Sequence, residues 1–322
     1  MNLKLPGIHH VTAIAGDPQQ NVDFYTSTLG LRLVKRTINF DDPSAYHLYY
    51  GNEAGNPGTI LTFFSWPRAR RGRRGAGQVT AAALSIPPDS MSYWVDRLKS
   101  RGLPLSPISN RFDEEVLSLV DPDGLLLELI ASPITSRFDP WEGGAVPPEK
   151  AIRGLHSVTL TEDAADPTSH FMESMLAFTL EKESQGRFRF SMSEPGSAAT
   201  VDLQVDPKGS RGAISIGTVH HVAWRTSGDE EQRGWREKIT GAGTHVSPVM
   251  DRQYFHSIYF REPGGILFEI ATDPPGFTVN ETPAELGSSL VLPPWLESHR
   301  RSIEAALPSL RTSSASSAKA GS

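Results

Sequence analysis

The chain has 322 residues, 38% of them hydrophobic and 21% charged, with a formal net charge of −6 at pH 7 and no cysteine. The acidic balance gives no bulk attraction to nucleic acid, no apolar run approaches the roughly 18 residues of a membrane span, and the start MNLKLPGIHH lacks a signal-peptide core, so the cytoplasm is the expected location. Without cysteine there are no disulfides, thiolate ligands or cysteine nucleophiles, and any metal must be held by histidine and carboxylate.

In chain order, four segments repeat one scheme. From Gly7 to about Phe64 the sequence reads as a strand (IHHVTAI), a helical stretch (PQQNVDFYTSTLG) and strands at LRLVKRTINF, AYHLYYG and GTILTFFSW. From about Val79 to Ala131 come VTAAALSI, the helix SMSYWVDRLKSRG and the run EEVLSLVDPDGLLLELIA. The third, from Gly154 to about Val205, has GLHSVTLT, PTSHFMESMLAF, FRFSMSE and ATVDLQV; the fourth, from Thr218 to Asp273, has TVHHVAWRT, EEQRGWREKITGAG and HSIYFREPGGILFEIAT. DPDGLLLELIA in the second matches EPGGILFEIAT in the fourth, each a tight turn followed by a buried strand. A fourfold βαβββ repeat of α+β class accounts for all four. The expected domains are residues 5–132 and 154–275, two modules each, joined by the Pro- and Gly-rich linker 133–153 and followed by an extension, 276–310, with a helix from about Pro294. Residues 311–322 have the composition of a disordered tail. The basic stretch PRARRGRRGAG, residues 67–77, reads as a solvated loop able to attract an anionic substrate.

Aligning the segment starts puts His9, His156 and His220 in one column and His10, Ser157 and His221 in the next. Side chains alternate faces along a strand, so only one column can line a common pocket, and His9 and His220 are expected on the far face, packed or supporting their neighbours. Glu269 interrupts the apolar strand GILFEIA, where a buried carboxylate needs a cation. Two neutral imidazoles and one carboxylate on one face of a divalent ion leave about three positions open, the arrangement of non-heme Fe(II) sites. Glu128 holds the Glu269 position in the second segment, yet that segment has no histidine. His10, His221 and Glu269 are therefore the expected metal ligands, with the first and fourth segments meeting around the metal and the second and third forming a metal-free counterpart.

At these residues the sequence resembles the vicinal oxygen chelate superfamily of glyoxalases, bleomycin-resistance proteins and type I extradiol dioxygenases. Through GIHHVTAIAGDPQQNVDFYTSTLGLRLVKRTINFDDP and DRQYFHSIYFREPGG it is most similar to the hydroquinone ring-cleaving group, which comprises the chlorohydroquinone dioxygenases and MhqO-like proteins. The resemblance spans about residues 5 to 300. It implies the vicinal oxygen chelate fold, Fe(II) (or Mn(II) or another divalent ion) on His10, His221 and Glu269, and cleavage of a hydroquinone-type aromatic by O2. It also implies pocket roles for Arg252 and Tyr259, with His9, Thr12 and His220 as polar neighbours. Other members of the fold act as oxygen-independent metal lyases or isomerases, or bind ligands without catalysis, and fold alone does not choose among them. The expected partners are a small aromatic substrate and O2, with neither nucleic acid nor membrane, and exposed sheet edges leave room for a homodimer.

Overall fold

The computed structural model describes residues 3–132, 138–192 and 199–311. The tail beyond Arg311 and residues 133–137 of the expected linker lie outside the described residues. Each segment folds as expected, with four strands and one helix. The first contains β1 (Ile8–Ala15), α1 (Pro18–Asp23), β2 (Arg32–Asn39), β3 (Asp42–Gly51) and β4 (Ile60–Ser65), the second β5 (Gln78–Ile86), α2 (Met91–Ser100), β6 (Ser109–Arg111), β7 (Glu114–Val120) and β8 (Leu126–Ala131). The third contains β9 (Leu155–Glu162), α3 (Asp166–Ser174), β10 (Thr179–Ser184), β11 (Arg187–Ser191) and β12 (Thr200–Val205). In the fourth are β13 (Val219–Thr226), α4 (Asp229–Gly241), β14 (Met250–Asp251), β15 (Phe255–Arg261) and β16 (Leu267–Pro275).

Local chemistry explains the punctuation. Asp17 caps α1 by accepting from the amides of Gln19 and Gln20 at 2.7 and 3.1 Å, with Pro18 in the first turn, where its missing N–H costs nothing. Helix α2 buries Met91, Trp94 and Leu98, a spacing that presents one apolar stripe to its sheet. The matched turns are built alike. Asp121 accepts from the amides of Asp123 and Leu125, and Glu262 from those of Gly264 and Ile266. In both, a left-handed glycine follows, Gly124 at φ 92° and Gly265 at φ 100°, which only glycine adopts freely.

Two sheets of eight strands result, in the orders β14-β15-β16-β13-β1-β4-β3-β2 and β10-β11-β12-β9-β5-β8-β7-β6. The first sheet joins modules one and four through the antiparallel pair β1/β13, and the second joins modules two and three through β5/β9. Each half of the chain thus contributes one module to each sheet. The basic loop does not face the pocket. Arg71, Arg73 and Ala76 form bridges with Ile216, Ala213 and Arg211, so the two inter-module connections strap one another together. The C-terminal extension packs against the cavity-bearing face of the first sheet, beside Tyr49 and Phe255. The ammonium of the buried Lys35 donates to the Phe277 carbonyl and Asn280 Oδ1 at 3.1 and 2.8 Å and pairs with Glu281, while the Phe277 ring packs 5.1 Å from Tyr49. Its helix, α5 (Arg300–Ala306), follows a 3₁₀ turn that begins at Pro294.

Candidate active site

The interior of the first sheet holds a cavity of about 370 Å³ whose base is formed by His10, His221 and Glu269. Register places them there: His10 pairs with Ala223, which in turn pairs with Glu269, and His221 lies in the next row opposite Thr12. His10 Nε2 and His221 Nε2 are 3.3 Å apart, and Glu269 Oε2 lies 3.4 Å from the first and 2.9 Å from the second. Donors about 2.1 Å from one ion and at right angles to each other would be about 3.0 Å apart, so the three atoms fit one face of a divalent ion. Glu269 is fully buried, and its Oε2 accepts no hydrogen bond of ordinary geometry among the described residues. Ser257 donates to the other oxygen, Oε1, which leaves Oε2 turned toward the imidazoles. Burial opposes ionisation of this carboxylate, but His10 and His221 outweigh it and hold its pKa well below the usual range.

The expected far-face position of His220 is corrected by the structure, because it lines the cavity. The reason is a pair of bulges. Thr12 pairs with His221 and Ala13 with Val219, making His220 an extra residue; Ile8 pairs with Trp224 and His10 with Ala223, making His9 one as well. A bulge breaks the two-residue alternation and re-aims the side chain. Each bulged ring then reaches its neighbour: His9 Nδ1 lies 2.9 Å from His10 Nδ1, and His220 Nδ1 lies 2.7 Å from His221 Nδ1. Burial, with His10 second, pushes His9 well below its usual pKa, and burial with His221 takes His220 down to about 3. Both rings are neutral, so each can accept the Nδ1–H of the adjacent imidazole and turn its Nε2 toward the shared point.

Thr12 and the other expected pocket residues also converge. Arg252 donates through Nε to the Tyr259 hydroxyl at 3.2 Å and pairs through Nη1 with Asp41 at 3.1 Å. Burial opposes its charge, but Tyr259, Asp41 and Glu269 hold its pKa above the usual value, while burial and Glu269 push the Tyr259 phenol up. Other participants carry little or no signal in the sequence. Ser257 is two positions before Tyr259 on the same strand face, and that spacing is the signal that could have found it. His47 links Tyr49 to Thr62 at 2.9 and 2.5 Å, and Thr62 lies 3.3 Å from Thr12, a hydrogen-bonded chain with no sequence signature beyond alternate positions in β3. Asp41 belongs to a turn and carries no periodicity. Phe255, which packs 5.1 Å from the His10 ring, falls in the run DRQYFHSIYFREPGG but has no role assigned from sequence.

The second sheet shows what the same scaffold holds without a histidine pair. Its bulges fall at Thr80 and His156, the positions matching His220 and His9. Glu128 is met by Arg111, which donates to both its oxygens at 2.6 and 2.5 Å, so a guanidinium occupies the position that the imidazoles frame in the first sheet. Arg189 and Arg187 neutralise Asp202 at 2.7 and 3.2 Å. Glu114, despite burial, is held down to about 2 by His156 and Arg189.

Residues 7–129 and 154–270 match the family described as the Glyoxalase/Bleomycin resistance protein/Dioxygenase superfamily. The chain belongs to this superfamily. Among its relatives, the Bacillus subtilis protein named "Putative ring-cleaving dioxygenase MhqO" is 46% identical over 308 residues, covering 95% of this chain and 97% of the relative. The "Chlorohydroquinone/hydroquinone 1,2-dioxygenase" of Sphingobium indicum is 37% identical over 302 residues, 91% of this chain and 93% of that one. The fold of this superfamily member also matches glyoxalase I from Zea mays, with a TM-score of 0.61 at 16% identity over 83% of this chain and 92% of that one. No helix among the described residues is long and apolar enough to cross a membrane.

Proposed function

We propose that the protein is an Fe(II)-dependent ring-cleaving dioxygenase, extradiol-type in its ligand set, that opens hydroquinone-type aromatics with O2. The observation that carries this reading is the convergence of two imidazole nitrogens and one carboxylate oxygen within 2.9–3.4 Å at the base of an aromatic-walled cavity. His10, His221 and Glu269 would hold the ion on one face. Bound there, Fe(II) supplies a redox-active Lewis acid with open positions for a phenolate and dioxygen.

The remaining chemistry belongs to side chains. Phe64, Trp66 and Phe255 wall the cavity and exclude water from the ring. The permanently charged Arg252 faces the space beside Tyr259, where it stabilises negative charge developing on oxygen. Tyr259, its phenol neutral, donates its O–H to a substrate or dioxygen-derived oxygen. Nδ1 of His220 is committed to His221, which leaves Nε2 as the atom able to hydrogen-bond a substrate hydroxyl. Thr12 offers a hydroxyl on the same face as His10.

Tyr259→Phe keeps the packing and removes the donor. It is expected to lower kcat by about a hundredfold with a much smaller change in KM, measured by steady-state oxygen uptake. The reading itself is tested by loading metal-free protein anaerobically with Fe(II) and following O2 uptake and ultraviolet absorbance with hydroquinones and catechols. Stoichiometric uptake with a ring-opened chromophore is expected, abolished in His10→Ala and retained in His156→Ala. Metal that binds tightly while no phenol consumes oxygen would sink the dioxygenase reading in favour of oxygen-independent metal chemistry.

A further inference from the structure

We propose that Asp41 is a built-in carboxylate that occupies the pocket arginine and bars aromatic rings carrying an anionic substituent; this deepens the dioxygenase reading and rests on it. Among the residues lining the cavity, Arg252 is the one side chain with a permanent positive charge. An arginine in an aromatic cavity ordinarily serves to anchor a carboxylate or sulfonate of the substrate. Here that role is filled from within. Nη1 of Arg252 pairs with Asp41 at 3.1 Å and Nε donates to Tyr259 at 3.2 Å, so both edges of the guanidinium are engaged.

The pair runs from the interior to the mouth, with Arg252 18% and Asp41 65% exposed at the side chain. The turn that carries Asp41 is held in place. Its main-chain N–H donates to Asn39 Oδ1 at 2.9 Å, and the next residue, Asp42, accepts from Trp66 Nε1 at 2.7 Å and from the Ser44 hydroxyl at 2.7 Å. This tip of the β2–β3 hairpin therefore sets two carboxylates at the mouth. An incoming anionic substituent would have to displace Asp41 from Arg252 while approaching Asp42, with no other lysine or arginine among the described lining residues to receive it. An uncharged substituent, such as a halogen or alkyl group, meets Phe40, Phe64, Trp66 and Leu267 instead.

The test measures binding without turnover. Protein loaded with Fe(II) under argon is titrated calorimetrically with phenol and with 4-hydroxybenzoate, as wild type, Asp41→Asn and Asp41→Glu. Asp41→Asn is expected to improve 4-hydroxybenzoate binding relative to phenol by about tenfold, a gain that shrinks with added salt, while Asp41→Glu keeps the wild-type ratio. A general loosening of the hairpin would move both ligands together and leave the ratio unchanged. An unchanged ratio, or no binding to any of the three proteins, overturns the proposal. A shifted ratio in a protein that consumes no oxygen with any hydroquinone would leave the role of Asp41 standing and remove the dioxygenase reading.

Discussion

Glu269→Gln is expected to strip the protein of its metal and lower turnover by about a thousandfold or more, several kcal/mol of lost charge stabilisation. The argument rests on charge and geometry. The amide keeps the shape and can still accept from Ser257, but it removes the anionic oxygen that lies 2.9 Å from His221 and 3.4 Å from His10. Two neutral imidazoles are a weak site for a divalent ion, since the hard anionic donor is gone. The loss reads out in two ways. Elemental analysis after gel filtration should find metal in wild type and little in the variant. Thermal melts should show added Fe(II) raising Tm by several degrees for wild type and scarcely at all for the variant, because only a bound ion stabilises the folded state by mass action. Metal retained at full stoichiometry with normal turnover would rule out Glu269 as a ligand.

Arg111→Met should cost about 3–5 kcal/mol of stability, as breaking a buried ion pair generally does. Its guanidinium meets both oxygens of Glu128, which is 5% exposed, and also lies 3.8 Å from the fully buried Asp202. Removing it leaves Glu128 in the sheet interior without its cation. The double change Arg111→Met with Glu128→Leu removes both charges and should recover most of the loss, while Arg187 and Arg189 continue to neutralise Asp202. Denaturant midpoints of the two variants measure this. If the single variant is as stable as the double, Glu128 does not depend on Arg111.

Much of this arrangement was legible in the sequence. The repeated Gly-x-His starts and the matched turns at Asp121 and Glu262 reveal four modules, and the missing histidine of the second segment points to the pairing of the first with the fourth. What escaped was set by contacts rather than by pattern. Strands β6, β10 and β14 lie at sheet edges, where they are short or wholly exposed, so no alternation marks them. His220 was assigned to the wrong face because alternation assumes an unbroken ladder, and the bulge that breaks it depends on the partner strand. Asp41 and His47 became visible only when the β2–β3 hairpin was placed over the cavity.

The nesting of the two sheets also constrains the order in which the chain can assemble. Strands β5 and β9, which join the inner modules, are both available once about half of the polypeptide exists, and every strand of the second sheet once about two thirds does, so that sheet can close early. β1 must wait for β13, more than two hundred residues later, with one edge unpaired throughout. Contacts of such sequence separation form slowly, and exposed edges invite mispairing while they wait. In the folded protein the loops around Arg73 and Ala213 bridge one another, which holds the connections leading to the first and fourth modules side by side. His10 and Glu269 lie near opposite ends of the sequence and are joined only through β13, so an ion held between them would require the first and fourth modules to be paired.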